Sequence, residues 1–147
     1  MNDLDLAIAA ARAAAAVHVA GVGTNLEVST KSSDIDLVTR VDTAAEETIR
    51  ALLAQHRPGD AVLGEEGGLE GSGGRRWIVD PLDGTLNYAH GFPYYCVSVA
   101  LEVNGLVEVG VVLDSVHGEL FAATRGGGAT LDGRPMGVSG EGSLRRS

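Results

Sequence analysis

Apolar positions along the chain change their spacing near residue 60. Before it they recur at helical intervals; after it they fall into short dense blocks. Residues 4–20 are rich in alanine, with Leu4, Ile8, Ala11 and Ala15 on one face and Asn2 or Asp3 placed to cap the start. Gly21 and Gly23 are expected to end this helix. Residues 24–41 are mixed and polar, closing in Leu37-Val38. A second helix is expected over 43–56, with Ala45, Ile49, Leu52 and Leu53 as its buried stripe. Thr43 and Glu46 fit a capping box, and Arg57-Pro58-Gly59 stops the helix. Ala61-Val62-Leu63-Gly64 then reads as a short strand running into Glu65-Glu66. A glycine-rich loop covers 67–74, and 76–79 is a strand ending in a turn at Asp80. Two longer strands, 95–103 and 106–113, flank Asn104-Gly105, the strongest short hairpin signal. Residues 119–124 give a further strand after His117-Gly118, and 129–131 a last one before Asp132-Gly133. The order predicts an α+β fold of two N-terminal helices packed on an antiparallel sheet, without internal repeats.

Composition narrows the class. At 147 residues the chain can form one domain with a core of its own. Aromatics make up only 4% while glycine occurs 21 times, which favours packed sheets with tight turns over a helical bundle. The net charge of -9 argues against a nucleic-acid surface, which needs clustered Lys and Arg. Much of that acidity sits where cations can bind, so the formal charge overstates the repulsion in a loaded site. The single cysteine, Cys96, excludes an internal disulfide and suits a reducing cytosol. It falls within a strand, so a buried, inert thiol is expected. Asp3 and Asp5 depart from a signal-peptide start. No apolar run is read as approaching the roughly 20 residues of a membrane-spanning helix. A cytoplasmic protein without membrane contact is therefore expected.

The candidate chemistry centres on Trp77-Ile78-Val79-Asp80-Pro81-Leu82-Asp83-Gly84-Thr85-Leu86-Asn87-Tyr88. A strand ending at Asp80 fixes one carboxylate. Pro81 sets φ for a turn, and Gly84 accepts a backbone angle that other residues resist. Asp83 is thereby turned back toward Asp80, with the Leu82 carbonyl between them. Hard oxygen donors of this kind are what Mg²⁺ prefers. Gly84 and Thr85 can begin a helical turn whose free N–H groups face a phosphate. The plainer alternative is a turn in which the Asp side chains bond their own backbone. Glu65 and Glu66 point to opposite faces if their strand persists. One is then a metal ligand that also orients water, or both belong to a solvated loop. Asp42 is either the N-cap of the second helix or a buried acceptor that prepares Thr85 to take a proton from water. Lys31 is a surface lysine or a counter-charge over an anionic substrate. His18 and His56 are read as structural or exposed, and neither His90 nor His117 is given a catalytic role.

In order along the chain stand Lys31-Ser32-Ser33, Asp36-Leu37-Val38-Thr39 with Asp42, Gly64-Glu65-Glu66, and the Trp77 to Asn87 block. Gly91-Phe92-Pro93, Val97-Ser98-Val99-Ala100-Leu101, Gly126-Gly127-Gly128-Ala129 and Asp132-Gly133-Arg134-Pro135 follow. Together they resemble the inositol monophosphatase family, a branch of the Mg²⁺-dependent, lithium-sensitive phosphatases. The resemblance covers nearly the whole chain from about Lys31. It implies the N-terminal portion of a layered α/β/α/β/α sugar-phosphatase fold. Residues 1–147 would be its metal- and phosphate-binding domain, and a C-terminal α/β domain, with a further Trp-Asp metal ligand, is expected to be absent. It implies that Glu65, Asp80, the Leu82 carbonyl and Asp83 bind Mg²⁺. Glu65, Leu82, Asp83, Gly84 and Thr85 would contact the substrate, and Thr85, Asp42 and Glu65 would activate water without a phosphoenzyme. The implied reaction is hydrolysis of inositol monophosphate to inositol and phosphate, and full-length relatives are commonly homodimers. Relatives acting on histidinol phosphate, fructose bisphosphate or adenosine bisphosphate share the pattern. A truncated, non-catalytic metal- or phosphate-binding remnant is the other reading.

Overall fold

A computed structural model describes residues 1–24 and 34–140. Helix α1 spans Asp3–Thr24 and α2 spans Asp34–His56. The Asn2 side chain accepts the Asp5 N–H at 2.8 Å, so Asn2 is the cap of α1. The glycines expected to end α1 do not. Gly21 lies inside the helix because its missing side chain lets Tyr88 Oη and Val41 approach; a Cβ there would collide with both.

The buried stripe of α1 is also rotated from the expected one. Leu6, Ala7, Ala10, Ala11, Ala14 and His18 are fully buried, whereas Leu4 and Ile8 only pack against the core edge. Alanine on nearly every face leaves little in the pattern to choose a face. The same composition overturns the expectation that no run is long enough for a membrane. Asp3–Val22 reaches a mean hydropathy of 1.4 and is long and apolar enough by those measures. Here its buried face packs on α2 and on the sheet.

Helix α2 starts earlier than predicted. Val38, Val41, Ala45, Ile49 and Leu53 form one continuous buried stripe, so the helical spacing extends back through the β-branched Val41 and Val38. Two readings fall with this. Asp42 lies inside the helix and is not its N-cap, and Thr43 with Glu46 is not a capping box. The end near Arg57-Pro58-Gly59 is as expected, with the Arg57 N–H bonded to the Leu53 carbonyl.

Eight strands follow: β1 Ala61–Leu63, β2 Leu69–Glu70, β3 Arg75–Asp83, β4 Cys96–Val103, β5 Leu106–Asp114, β6 Leu120–Thr124, β7 Gly128–Leu131 and β8 Arg134–Met136. A short helix, α3, spans Thr85–Ala89 between β3 and β4. The sheet order is β2-β1-β3-β4-β5-β6-β7-β8. The sheet is mixed and not purely antiparallel, because β1 pairs parallel to β3, with Val62 opposite Trp77. The loop containing β2 carries the chain back to start β3 in the same direction as β1. Asn104 and Gly105 have φ of 50° and 82° and close the β4–β5 hairpin as a type I′ turn. Asp132 and Gly133 repeat that geometry, with φ of 50° and 76°. They lead into β8, a strand the pattern reading missed even though the same turn signal was present.

The core lies between the helices and one sheet face. Trp77 and Val79 of β3, Val97, Val99 and Leu101 of β4, and Val109, Val111 and Leu113 of β5 point into it at alternating positions. This layer fixes β3, whose far end carries the site.

Candidate active site

Strand β3 does not simply stop at Asp80. Asp80 pairs with Ser98 and Asp83 with Cys96, so three residues are spent on β3 against two on β4. That extra residue is a bulge. It breaks the alternation, since Pro81 and Leu82 are both buried while Asp83 emerges exposed. Gly84 follows at φ 97° and opens α3. A Cβ on Gly84 would stand 3.0 Å from the Tyr94 carbonyl oxygen and 3.2 Å from Tyr95 Cα, so this close crossing admits only glycine. The returning loop is pinned by Asn87, which donates to the same Tyr94 carbonyl at 2.7 Å. The helical turn at Gly84-Thr85 is thus present as the sequence suggested. The plainer reading is present too, because the Asp80 carboxylate accepts the Leu82 N–H.

The second acidic segment is held differently. Strand β1 ends at Leu63, so Glu65 and Glu66 sit in a loop and the alternating-face reading does not apply. Glu46 of α2 accepts the Glu66 N–H at 2.8 Å and the Gly67 N–H at 2.9 Å. Its other contact is Arg50 Nε at 2.8 Å, and Arg50 in turn donates to the Gly68 carbonyl at 2.7 Å. Burial works against the Glu46 charge, but these donors outweigh it and hold the carboxyl below its usual range. Gly64 and Gly67 are required here: a Cβ on either would run into the Glu46 carboxylate. Sequence reasoning missed Glu46 as an organiser of the site. The usable signal was the pair of glycines flanking Glu65-Glu66.

Asp42 approaches from α2, buried to 4% exposure, and its Oδ1 has no hydrogen-bond partner among the described residues. Burial first, then the charges of Glu66, Glu65, Asp80 and Glu46, push its carboxyl up to about 7. Asp80 Oδ1 is likewise buried and unpartnered, and burial with Glu65 and Asp83 raises that group to about 6. The fold therefore brings Asp42, Glu65, Glu66, Asp80 and Asp83 within electrostatic reach of one another. Among the described residues, no three such side chains close on a common point as a metal cluster, and no hydrogen bond joins Thr85 to Asp42. Two buried carboxylate oxygens without donors among the described residues, amid like charge, are suited to a hard divalent cation. Lys31 lies outside the described residues.

Beside Asp83 opens a cavity of about 570 Å³, lined in part by Asp83, Gly84, Asn87, Tyr94 and Asp114. Cys96 is only half-buried, with Sγ 3.7 Å from an Asp83 oxygen. Burial and that carboxylate push the thiol up to about 11, which keeps it unionised and unreactive. His117 is exposed and pairs with Asp114 at 2.9 Å, which raises its basicity.

His18 is the other residue whose place was not foreseen. It is fully buried, with Nε2 2.9 Å from the Pro81 carbonyl and Nδ1 2.9 Å from Ser115 Oγ. Burial pulls it down to about 4, against the opposing effect of the Pro81 bond, so the ring is neutral.

A mixed sheet under paired helices, with an acidic bulge beside a glycine-opened helical turn, makes an α+β frame. The chain belongs to the inositol monophosphatase family, whose model matches residues 2–147. It is 46% identical over 146 residues to the Nus factor SuhB of Pseudomonas aeruginosa, covering 96% of this chain and 54% of that protein. It is 43% identical over 139 residues to a histidinol-phosphatase of Chlorobaculum parvum, covering 93% and 53%. The solved inositol monophosphatase of Anabaena superposes with a TM-score of 0.81 at 40% identity, over 96% of this chain and 51% of that one. The chain thus spans about half the length of the curated relatives it matches.

Proposed function

We propose that residues 1–147 form the metal- and phosphate-binding domain of a Mg²⁺-dependent phosphomonoesterase acting on inositol monophosphate. The observation that carries this is the shared electrostatic neighbourhood of five carboxylates, two with buried oxygens unpartnered among the described residues, linked through Asp80 and Asp83 to the turn opened by Gly84. Glu65, Asp80, the Leu82 carbonyl and Asp83 would hold Mg²⁺. Glu65 and Asp83 are exposed, so they can move onto a cation at little cost in packing. When bound, Mg²⁺ supplies Lewis-acid polarisation of the phosphoryl group and a more acidic water.

The remaining work falls to side chains and backbone of this chain. The free N–H groups at Gly84 and Thr85 orient the phosphate oxygens. Thr85 would take a proton from the attacking water and pass its own hydroxyl proton to Asp42, once that hydroxyl closes on the carboxylate to which it is not hydrogen-bonded here. Glu65 orients the same water. Attack at phosphorus breaks the P–O bond to the alcohol; the departing oxygen takes a proton from solvent, Asp42 returns the proton it holds to solvent, and inorganic phosphate is the second product. The cavity beside Asp83 offers room for the alcohol portion. Histidinol phosphate is the second substrate candidate, supported by the similarity to the C. parvum enzyme.

The test is phosphate release by the protein from inositol 1-phosphate and histidinol phosphate, with and without Mg²⁺. Release is expected to require Mg²⁺ and to fall on the order of 100-fold or more in Asp83→Asn, with the fold intact by circular dichroism. Turnover unchanged in Asp83→Asn would remove the metal assignment. Mg²⁺ uptake without hydrolysis of any ester would favour a non-catalytic binding module.

A further inference from the structure

The bulge that carries the acidic turn has one anchor that the function above does not use. The extra residue between Asp80 and Asp83 leaves Pro81 and Leu82 without Cα partners on β4. Pro81 is fully buried and has no N–H of its own. A buried carbonyl outside a regular ladder needs a donor from elsewhere. That donor comes from α1: His18 Nε2 lies 2.9 Å from the Pro81 oxygen.

The direction of this bond is fixed by chemistry. A carbonyl only accepts, so Nε2 carries the proton. Nδ1 is then an acceptor, and the Ser115 hydroxyl, at 2.9 Å, donates to it. The ring is also held edge-on by two aromatics, with Tyr88 and Tyr95 centroids at 6.1 Å and 5.8 Å. The main-chain oxygen of His18 accepts from Tyr88 Oη at 2.8 Å, which ties the same turn of α1 to α3. One residue thus links α1 to the bulge, to the loop after β5 and to the helical turn after Gly84.

We propose that His18 is a positioning residue: its Nε2–H sets the Pro81 carbonyl, and so the angle at which the bulge presents Asp80, the Leu82 carbonyl and Asp83 to a divalent cation. This rests on the reading of that turn as a cation site. Burial alone does not explain the residue, because an apolar ring would fill the space without two directed hydrogen bonds.

The test uses Mn²⁺ as probe, with the native chain, His18→Phe and His18→Gln. The glutamine amide can donate to the Pro81 oxygen and its carbonyl can accept from Ser115. His18→Phe is expected to keep its circular dichroism, to shift the Pro81 carbonyl ¹³C resonance, and to weaken Mn²⁺ binding about 10- to 100-fold, the range seen when groups behind metal ligands are removed. His18→Gln is expected to recover most of that loss. Unchanged Mn²⁺ affinity in a folded His18→Phe chain overturns the inference. So does an equal loss in both variants that follows their melting temperatures, which marks a structural role. Should the phenylalanine variant fail to fold, Ser115→Ala decides instead. It frees the ring, and an unmoved Pro81 resonance with native Mn²⁺ affinity overturns the inference. If the native chain takes up no Mn²⁺, the cation reading itself fails, and with it the role of His18 toward a metal.

Discussion

The two acidic segments of the site are built by opposite means. The run from Asp80 to Thr85 carries its shape largely in its own residues: a strand that delivers Asp80, a proline that fixes φ, and a glycine at φ 97°. The Gly64–Gly68 loop is closed at its ends by the Gly64 N–H bonded to the Gly68 carbonyl at 3.1 Å, with Gly68 at φ 63°, but its middle is held from outside. Its N–H groups at Glu66 and Gly67 are collected by Glu46, twenty and twenty-one residues earlier on α2. A self-shaping turn tolerates change in its surroundings but little within itself. A templated loop tolerates change in its own side chains but depends on its template.

The sharpest way to break this contrast is to remove the template. Glu46→Ala leaves two loop N–H groups without their acceptor and the half-buried Arg50 without its shortest carboxylate contact, keeping Glu70 and the Gly68 carbonyl. Leaving such N–H groups unsatisfied costs about 1–3 kcal/mol each, and the lost part-buried pair adds to this, for a total of about 3–5 kcal/mol. Urea unfolding is expected to show a loss of this size, the largest among the variants considered. A loss below about 1 kcal/mol would mean that the loop holds itself.

The next effect asks whether the Asp80 turn is as self-sufficient as its sequence suggests, since His18 also braces it. His18 is pulled to about 4 in the fold from 6.5. The unfolded chain therefore binds the proton more readily, and acid favours unfolding. The stability due to neutral His18 is fully present above pH 6.5, falls as pH drops toward 4, and is flat below it. The change amounts to about 3 kcal/mol. Asp42 and Asp80, raised to about 7 and about 6, act with the opposite sign over the same range. The measurement is therefore the difference in unfolding free energy between the native chain and His18→Phe, at pH 7.5 and pH 4. The native chain should lose ground to the variant on acidification. Tyr88, Tyr95 and Ser115, which face the ring, do not titrate in this window.

What was legible in the sequence follows the same division. The Asn104-Gly105 hairpin, the end of α2 at Arg57 and the Gly84-Thr85 turn rest on adjacent residues, the family on an ordered set of such short motifs, and each is found. The misreadings involve information carried elsewhere. Gly21 looked like a helix end because the phenol of Tyr88, which needs its space, lies 67 residues away along the chain. Asp42 and Thr43 looked like a helix start because the stripe through Val38 and Val41 is visible only once α2 packs. The mixed sheet was missed because three-residue β1 gives no hint of its partner's direction. The turn that carries Asp80, Asp83 and Gly84 was readable from local chemistry. Glu46 and His18 were not, since each acts on backbone far along the chain.

A smaller effect separates glycines that shape the site from those that do not. Gly84→Ala forces a side chain into the left-handed region and against the Tyr94 carbonyl oxygen at 3.0 Å. A destabilisation of about 1–3 kcal/mol is expected, together with loss of phosphate binding. Gly59, with open space around its Cβ position, is the control. Gly59→Ala should leave both unfolding and phosphate binding unchanged. Equal behaviour of the two variants would show that the turn is not self-shaped.

The smallest effect has the opposite sign from the others. Asp80 sits among Glu65 and Asp83 with one buried oxygen unpartnered, and its carboxyl is raised to about 6, so at pH 8 the fold holds a charge it would shed. Asp80→Asn removes that charge and keeps an oxygen able to accept the Leu82 N–H. In the absence of divalent cations the variant is expected to be more stable at pH 8 by about 1 kcal/mol, a figure reduced for partial exposure. The gain should vanish near pH 4, where the native carboxyl is already protonated. With millimolar Mg²⁺ the order should reverse, because only the native chain gains stability from the ion. Urea midpoints at pH 8, with and without Mg²⁺, measure both halves. If the asparagine variant is less stable in both conditions, Asp80 is held for its turn geometry rather than for its charge, and the acidic turn is only a turn.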